Sequence, residues 1–511
     1  MQKRQVYNPF LPLNEYIPDG EPHVFGDRIY LYGSHDREGG YTFCMEDYVV
    51  YSAPVDDLSD WRCEGVTYRA SDDPVYPALQ YMYAPDVVKG NDGRFYLYYC
   101  MGGDYGVGGY TGHISVAVCD TPAGKYEYYG DVSYSDGTPI GFKGEPFQFD
   151  PGVFMDDDGK LYLYTGFALR DNPLLLWGSK PTDYGPMCFE IDSADMLTVK
   201  KGPVYIGVGG YKDGDKNGYK GHLFLEASSM RKFDGKYYYI YSSLNSHELC
   251  YAVSDRPDGG FSFGGVLVSN GDIGIDGISD VKKARNNTGN THGSLIEIKG
   301  KYYVFYHRQT NRKQSSRQAC AEEIRFENGK FYQAKETSMS FSESAFCLKG
   351  EYPSYIACNL YGKDGTRFLS MIKHPKGNTP YITQDDKDYD FESSAGKGMQ
   401  YIDNFCDGSV AGFKYFDFSR GNDFKKISAL VSGKARGVME VYVVKKETDN
   451  TLFKIDNEDK ICSINLEIND WSSKQSFESE ITDVETLDDN VALYFSYKGV
   501  GRFKFYSFGL Q

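Results

Sequence analysis

The 511-residue sequence lacks the features of several large protein classes. No apolar run approaches the roughly 20 residues that span a bilayer, which argues against an integral membrane protein. Lys and Arg total 55 against 72 Asp and Glu, a formal net charge of −17. The basic excess that binds nucleic-acid phosphates is therefore absent. No CxxC, HExxH, GxGxxG or GxxxxGK[ST] motif occurs, which disfavours zinc-ribbon, metalloprotease and nucleotide-binding functions.

Disulfide and export signals are also missing. The 11 cysteines are an odd number and are too sparse in 511 residues for a disulfide scaffold. The first residues, MQKRQVYNPFLPLNEY, contain no apolar core of the roughly 7–15 residues that a secretory signal needs. We therefore expect free thiols and a cytoplasmic protein.

Aromatic residues and glycine are abundant instead, and they recur in a repeat. The chain has 46 Tyr, 32 Phe and 57 Gly but only 3 Trp, a mixture that favours strands and tight turns. Five similar aromatic segments read GDRIYLYGS, GRFYLYYC, GKLYLYTG, GKYYYIYSS and GKYYVFYHR. Aligning them superimposes five tyrosines at intervals of 65 to 76 residues: Tyr30, Tyr96, Tyr162, Tyr238 and Tyr303.

The repeat predicts the architecture. A unit of this length with several short strands cannot bury its apolar faces alone, whereas five units arranged radially can. A linear solenoid is the alternative, but it would have a shorter period and caps at both ends. We predict an all-β protein with a five-bladed β-propeller over residues 1–335. Beyond the repeat, runs such as KISALVSG, MEVYVVKK and NVALYFSYKG predict a β-sandwich over residues 345–511.

One polar residue lies 10 to 12 residues before each of the five repeat tyrosines: Asp19, Asp86, Asp150, Glu226 and His292. Any one of these acids alone is typical of a turn residue. The first strand of each propeller blade lines the central channel, so their shared phase predicts that the five side chains meet at one channel end. Grouped carboxylates fit glycosidic hydrolysis, in which a protonated acid serves the leaving oxygen and an ionised one activates water or attacks the sugar. A third can raise the pKa of the acid.

The same stretches resemble glycoside hydrolase family 43. The similar segments are IPDGEPHVFGDRIYLYGSHD, YMYAPDVVKGNDGRFYLYY, FDPGVFMDDDGKLYLYTG, LEASSMRKFDGKYYYIYSS and NTHGSLIEIKGKYYVFYHR, which together cover residues 10 to 335. The resemblance implies a five-bladed propeller enzyme acting on arabinose- and xylose-containing plant polysaccharides.

The resemblance also implies roles for three carboxyl groups. Asp19 corresponds to the general base, Asp150 to the residue that adjusts the pKa of the acid, and Glu226 to the general acid of an inverting mechanism. Because this chain reads PDG where relatives often read ADP, Glu21 is an alternative base. Asp86 is interpreted as a structural residue that supports the site without acting on substrate.

Further residues are implied by the same resemblance. Arg308, in YHRQ, and Tyr83, in the blade-two motif, correspond to positions that bind sugar. His292 corresponds to a histidine that helps to hold a calcium ion through water, so calcium is the expected cofactor. The acid side chains would concentrate negative charge that a hard cation could offset.

The expected function is that of an exo-glycosidase. It would remove terminal α-L-arabinofuranosyl or β-D-xylosyl residues from hemicellulose oligosaccharides, without a nucleic-acid or membrane partner. A sugar-binding propeller without catalytic activity is the alternative. The stretch DGSVAGFKYFDFSRGNDFKKISALVSG resembles sandwich domains of carbohydrate-binding module family 6. Because Trp471 is the only Trp of this domain, packing against the propeller is an equally good interpretation of its role.

Overall fold

The computed structural model describes residues 5–76, 79–103, 113–141, 144–169, 180–212, 214, 216–342, 344–369, 377–385, 399–419, 425–444, 459–482 and 490–511. Within these ranges the chain forms strands and short 3-10 helices but no α-helix, which confirms the all-β prediction. The 3-10 helices are Ala70–Asp72, Lys216–Gly218, Asn270–Asp272, Val281–Lys283 and Ser354–Ile356. None of the helices described is long or apolar enough to cross a membrane.

The first four blades of the predicted propeller are antiparallel four-stranded sheets. The first has β1 (Glu21–Phe25), β2 (Arg28–Tyr32), β3 (Tyr48–Pro54) and β4 (Arg62–Tyr68). The second has β6 (Asp86–Lys89), β7 (Phe95–Tyr99), β9 (Ser115–Cys119) and β10 (Glu127–Asp131), beside a small pair, β5 (Tyr81–Met82) and β8 (Met101–Gly102). The third has β11 (Gly152–Met155), β12 (Leu161–Thr165), β13 (Met187–Ile191) and β14 (Val199–Tyr205). The fourth has β15 (Phe224–Phe233), β16 (Lys236–Ser243), β17 (Glu248–Ser254) and β18 (Ser262–Ser269).

The fifth blade is completed by the start of the chain. Its sheet contains β19 (Leu295–Ile298), β20 (Lys301–Gln309) and β21 (Arg317–Glu323), and the hairpin β22 (Phe326–Glu327) and β23 (Lys330–Phe331) follows. Asn8 contacts Ala321 on β21 through both its side-chain oxygen and its side-chain nitrogen. The N-terminal segment therefore lies along the outer strand of this blade and closes the ring of five.

Aromatic side chains from neighbouring blades pack between the sheets. Tyr164 of the third blade and Tyr239 of the fourth lie 5.8 Å apart, measured between ring centroids, and both are fully buried. The tight hairpins before the tyrosine strands use glycine where the backbone enters the left-handed region, as at Gly93 (φ 87°) and Gly159 (φ 80°). The repeat seen in the sequence is thus the tyrosine-rich second strand of each blade with its preceding turn.

The C-terminal part is the predicted β-sandwich. β24 (Gly350–Pro353), β25 (Asn359–Tyr361), β26 (Tyr381–Gln384), β27 (Gln400–Cys406) and β28 (Val410–Phe416) are joined by the long strands β29 (Lys426–Val444) and β32 (Val491–Leu510) and by β30 (Lys460–Ile468) and β31 (Gln475–Glu480). β29 pairs with β30, β31 and β32, whereas β32 also pairs with β24, β27 and β28. One apolar core, which includes Phe413, Phe495 and Phe505, lies between the layers.

The sandwich is joined to the propeller by polar contacts as well as by the connecting chain. The Lys414 ammonium lies 3.4 Å from Asp272 of the propeller, and both side chains are fully buried. The loop after β20 also contacts β26: the backbone N–H of Asn311 donates to the Ile382 carbonyl at 2.9 Å. The C-terminal domain therefore packs against the propeller beside the loop that leads into β21.

Candidate active site

The innermost strands of the five blades surround a central channel. β1 contacts β6 and β19, β11 contacts β6 and β15, and the hydroxyls of Ser229 and Ser294 join the fourth and fifth blades at 2.7 Å. Because side chains alternate along a strand, residues two apart face the channel at successive levels. The level of each polar residue can therefore be read from its pairing partner.

A cavity at one end of this channel collects most of the residues predicted from the sequence. Its lining comprises Asp19, Phe43, Cys44, Tyr83, Phe149, Asp150, Glu226, Asn290, His292 and Arg317. The structure thus brings together the three predicted catalytic acids, the predicted sugar-binding tyrosine and the predicted metal-site histidine. These residues come from all five blades, which is the convergence that the repeat phase predicted.

The prediction that all five side chains meet at one channel end is wrong for Asp86, which lies one level deeper in the channel. Asp86 pairs with Tyr98 on β7, as Glu21 pairs with Tyr32 on β2. Asp19 precedes Glu21 by two residues and therefore stands one level above it. Asp86 precedes its repeat tyrosine by 10 residues, whereas Asp150 and Glu226 precede theirs by 12. This difference of two residues moves Asp86 to another level of the channel.

Asp86 has the structural role that was expected of it. Its carboxylate accepts from the Val153 amide of the third blade at 2.8 Å and lies 2.6 Å from Nε2 of His23 of the first blade. It therefore ties three blades together. Glu21, the alternative base, accepts from Arg231 at 2.7 Å and from Ser229 at 3.1 Å and does not line the cavity that contains Asp19.

The backbone is unusual at the acids themselves. Asp19 (φ 57°), Asp150 (φ 47°) and Ala227 (φ 71°), which follows Glu226, adopt left-handed conformations that cost energy for residues with a Cβ. Such conformations cluster where the surrounding structure fixes side chains for function. Asp19 and Asp150 lie just before an innermost strand, and Ala227 lies at a register shift within β15. All three predicted acids line the cavity.

Asp19 is held as a carboxylate. Its oxygens accept from Arg317 Nη1 at 2.8 Å and from the Ser34 hydroxyl at 2.6 Å. Burial alone would raise the pKa of Asp19, but Arg317, His292, His307 and the Ser34 hydrogen bond outweigh it and hold that pKa below its usual value. Arg317 is the lasting cause at neutral pH, because burial lowers the pKa of His292 to about 4 and leaves the ring uncharged.

Glu226 is held in the opposite state. Burial and the nearby Asp19 carboxylate raise its pKa to about 7, and Arg317 offsets only part of this increase. A carboxyl group with this pKa retains a proton near neutral pH and can donate it. Asp19 and Glu226 therefore divide into an ionised and a protonated group in one cavity, which is the pairing that acid–base hydrolysis requires.

Asp150 is coupled to the acid. Burial and then Glu226 and Asp19 raise its pKa well above the usual range, and a hydrogen bond from the Ala227 amide at 3.2 Å opposes this increase. Two buried carboxyls that interact this strongly titrate as a pair and compete for one proton. Asp150 therefore influences the proton on Glu226 from a neighbouring blade.

The cavity contains donors that suit a hard cation. Nδ1 of His292 lies 3.8 Å from an Asp19 oxygen and 3.6 Å from an Asp150 oxygen. The side-chain oxygen of Asn290 is buried without a hydrogen-bond partner, and Asn290 lines the same cavity. Carboxylate and amide oxygens are preferred ligands of calcium, whereas a neutral imidazole is better placed to orient a bound water. These residues thus fit the expected ion.

Arg308 is not brought to the cavity. Its guanidinium donates to the Tyr355 carbonyl at 2.6 Å, to Gln318 at 3.1 Å and to Gln400 at 3.3 Å, so it joins the propeller to the sandwich. The reason is the alternation of β20: His307 lies 3.6 Å from Asp19, and its neighbour Arg308 faces the other way. The arginine of the cavity is Arg317 instead.

Sequence reasoning missed Arg317 and its partner Asp36. Arg317 binds Asp36 through Nε at 2.7 Å and Nη2 at 3.0 Å, across 281 residues of sequence. Asp36 lay within the compared segment YGSHD but has no repeat phase of its own. Ion pairs between residues far apart in the sequence leave no local pattern, so only a search for buried charges could have found this pair.

A five-bladed propeller with an ionised carboxylate and a protonated carboxyl in one cavity has the acid–base pair that a glycoside hydrolase needs. Residues 7–178 match the glycosyl hydrolases family 43. The chain is 44% identical over 513 residues to a xylosidase/arabinosidase from Thermoclostridium stercorarium, covering 99% of both chains. It is 31% identical to a beta-xylosidase from Xylanibacter ruminicola, covering 58% of this chain and 88% of that protein. The chain belongs to glycoside hydrolase family 43.

Proposed function

We propose that this glycoside hydrolase removes single terminal α-L-arabinofuranosyl or β-D-xylosyl residues from hemicellulose oligosaccharides. The observation that carries the proposal is the contrast between the two acids of the cavity: the Asp19 carboxylate is held ionised by Arg317, and Glu226 has a pKa of about 7. The choice of pentoses is supported by the 44% identical relative from Thermoclostridium stercorarium, a xylosidase/arabinosidase.

In the proposed mechanism Glu226 protonates the departing glycosidic oxygen while Asp19 accepts a proton from the attacking water. The stereochemical outcome would be inversion, because Asp19 activates water rather than forming a bond to the sugar. Asp150 and Glu226 share one proton, because ionising both would place two negative charges side by side, and this keeps a proton available for the leaving oxygen near neutral pH. Tyr83 packs on Phe149, with 5.1 Å between ring centroids, and these rings would form an apolar wall for the sugar.

Arg317 contributes more than charge to this mechanism. A guanidinium has five N–H donors in a fixed plane, and three of them bind Asp36 and Asp19. A remaining donor on Nη1 would bind a sugar hydroxyl. We assign to Arg317 the sugar-binding role that the resemblance gave to Arg308.

Calcium is proposed as the resident ion of the cavity. Asn290 and the carboxylates would hold it, with His292 orienting a bound water, and the ion would screen the negative charge of the acids. The residues of the chain perform the proton transfers.

The proposal is tested with a panel of 4-nitrophenyl glycosides of α-L-arabinofuranose, β-D-xylose and β-D-galactose, followed by xylotriose. We expect nitrophenol release from the two pentosides and single xylose units from xylotriose. Proton NMR during the first turnovers should show the inverted anomer. Release of xylobiose from the middle of longer chains would contradict terminal action, and tight sugar binding without any hydrolysis would support a binding protein instead.

A further inference from the structure

Asp36 is a buried carboxylate that the proposed mechanism does not use. It follows β2 in the segment YGSHD, and its side chain is fully buried. Both of its oxygens are engaged: Oδ2 accepts from Nε of Arg317 at 2.7 Å, and Oδ1 accepts from Nη2 of the same residue at 3.0 Å. This two-point contact fixes the plane of the guanidinium as well as its position.

The orientation of Arg317 determines how it reaches the base. With Nε and Nη2 held by Asp36, Nη1 is the nitrogen that remains, and it lies 2.8 Å from Oδ1 of Asp19. The chain of contacts therefore runs from Asp36 through Arg317 to Asp19. A rotation of the guanidinium by a few tens of degrees would move Nη1 away from the base.

Asp36 also supports the wall of the cavity. Its Oδ1 accepts from the Cys44 amide at 2.9 Å, and the Arg317 guanidinium lies over the ring of Phe43 at 4.7 Å. Phe43 and Cys44 both line the cavity. One carboxylate thus holds both the arginine and the adjoining segment of the cavity wall.

We propose that Asp36 is a positioning residue for hydrolysis, which orients Arg317 so that Asp19 faces the attacking water, without touching substrate itself. This inference rests on the proposed function, since it takes Asp19 as the base. An ion pair that served folding alone would look similar in a static structure, so the test must separate geometry at the base from general stability. The chain offers a matched control in Asp272, which is fully buried and lies 3.1 Å from the fully buried Arg285 at the domain interface.

The experiment compares Asp36→Asn, Asp36→Glu, Arg317→Met, the double variant Asp36→Asn/Arg317→Met and the control Asp272→Asn. Melting temperature is measured for each, and kcat and KM are determined on a 4-nitrophenyl and on a 2,4-dinitrophenyl glycoside of the preferred pentose. Asp36→Asn should lower kcat on the order of 10- to 100-fold, as expected when a catalytic group is misplaced by about 1 Å. The loss should be the same for both leaving groups, because the base step is affected.

Two further outcomes are expected. Adding Asp36→Asn to Arg317→Met should cost little more activity than Arg317→Met alone, because Asp36 acts through that arginine. Asp36→Glu should recover part of the activity lost in Asp36→Asn, since it restores a carboxylate to the guanidinium. Asp272→Asn should lower the melting temperature while leaving kcat within about threefold of the parent protein.

The proposal is overturned if Asp36→Asn folds and turns over normally, or if its cost is unchanged in the Arg317→Met background. If Asp36→Asn does not fold, Asp36→Glu decides: a folded Asp36→Glu protein with parent kcat and KM would assign Asp36 to folding alone. Asp19→Asn, measured in parallel, identifies a failure of the proposed function itself, because an active Asp19→Asn protein would remove Asp19 as the base whatever Asp36 does.

Discussion

The amide of Ala227 donates a hydrogen bond to Oδ2 of Asp150, 3.2 Å away and 77 residues earlier in the chain. Because Ala227 directly follows Glu226, this bond fixes the backbone of the fourth-blade acid to a carboxyl group of the third blade. The left-handed conformations of Ala227 and Asp150 make the contact possible. The spatial relation between Glu226, the proposed acid, and Asp150, the proposed modulator of its pKa, is therefore fixed through the backbone where the two blades meet.

The two central acids should separate by their response to the leaving group. Glu226→Gln should lower kcat by two or more powers of ten on a substrate with a poor leaving group and far less on a dinitrophenyl glycoside, which needs no protonation. Asp19→Asn should lower kcat on both substrates to a similar extent, because water still lacks its base. Steady-state kinetics on the two substrates check this, and circular dichroism verifies the fold.

The opposite pattern would reverse the assignment. If the Asp19→Asn loss disappears with the better leaving group and the Glu226→Gln loss does not, Asp19 is the acid. Near-normal turnover of either variant on the poor leaving group would remove that residue from the mechanism.

The fold and the grouping of the acids followed from the sequence because both depend on local pattern. The alternation around Tyr162 and the turn at Gly159 identify a blade hairpin, and equal phase in different blades implies convergence. The level of a residue along the channel was harder to predict from the sequence. Asp86 differs from Asp150 by two positions, which leaves its facing unchanged but moves it to the next level of the channel.

Contacts between residues far apart in the sequence could not be predicted in the same way. Arg308 and Arg317 both belong to the fifth blade, and only the register of β20 and β21 shows that Arg317 faces the cavity. Its partners are separated from it by 281 and 298 residues, so no spacing rule connects them. The sequence therefore predicted the acids of the site but not Arg317, the arginine that binds Asp19.

The pH dependence of activity should reflect the two opposed environments. In the pH profile of kcat/KM, the midpoint of the acid limb should lie below the usual pKa of an aspartate, because the pKa of Asp19 is lowered. The midpoint of the basic limb should lie near pH 7, where Glu226 loses its proton. Because Asp150 and Glu226 compete for one proton, the pair keeps that proton to a higher pH than Glu226 alone would. Asp150→Asn removes this coupling, so the pKa of Glu226 should fall and the basic limb should move to lower pH. Profiles of kcat/KM between pH 3 and 9 measure this, and an unmoved basic limb in Asp150→Asn would count against its role.

Glu21 should affect stability rather than catalysis. Burial, partly offset by Arg231, raises the pKa of Glu21 to about 8 in the folded protein, and the neighbouring Asp86 adds to the increase. Between its usual pKa near 4.5 and this value, the folded state binds a proton that the unfolded state has lost. Stability from this group is therefore present at low pH and declines as pH rises through that window.

The Glu21→Gln variant checks both parts of this argument. Its melting temperature should fall less than that of the parent protein between pH 5 and 9, because the amide does not titrate, and its kcat at pH 6 should stay within about threefold of the parent value. Loss of activity comparable to Asp19→Asn would instead make Glu21 the base. Parallel melting curves in the two proteins would show that Glu21 does not titrate as the structure indicates.

Calcium removal tests the proposed ion. The cavity combines Asp19, Asp150 and Glu226 with the unpartnered oxygen of Asn290 and the uncharged ring of His292. A divalent cation would offset the repulsion among the carboxyls and hold several blades in register, so chelation with EGTA should lower the melting temperature, the activity or both. Added calcium should restore them, because binding to the folded state alone stabilises it by mass action.

Asn290→Ala should weaken the calcium response, whereas Asp272→Asn, at the domain interface, should retain it. Metal analysis of the purified protein gives the stoichiometry, with one ion per chain expected. If no ion is found and neither chelator nor calcium changes stability or activity, the ion is absent and His292 serves only as an uncharged neighbour of Asp19 and Asp150.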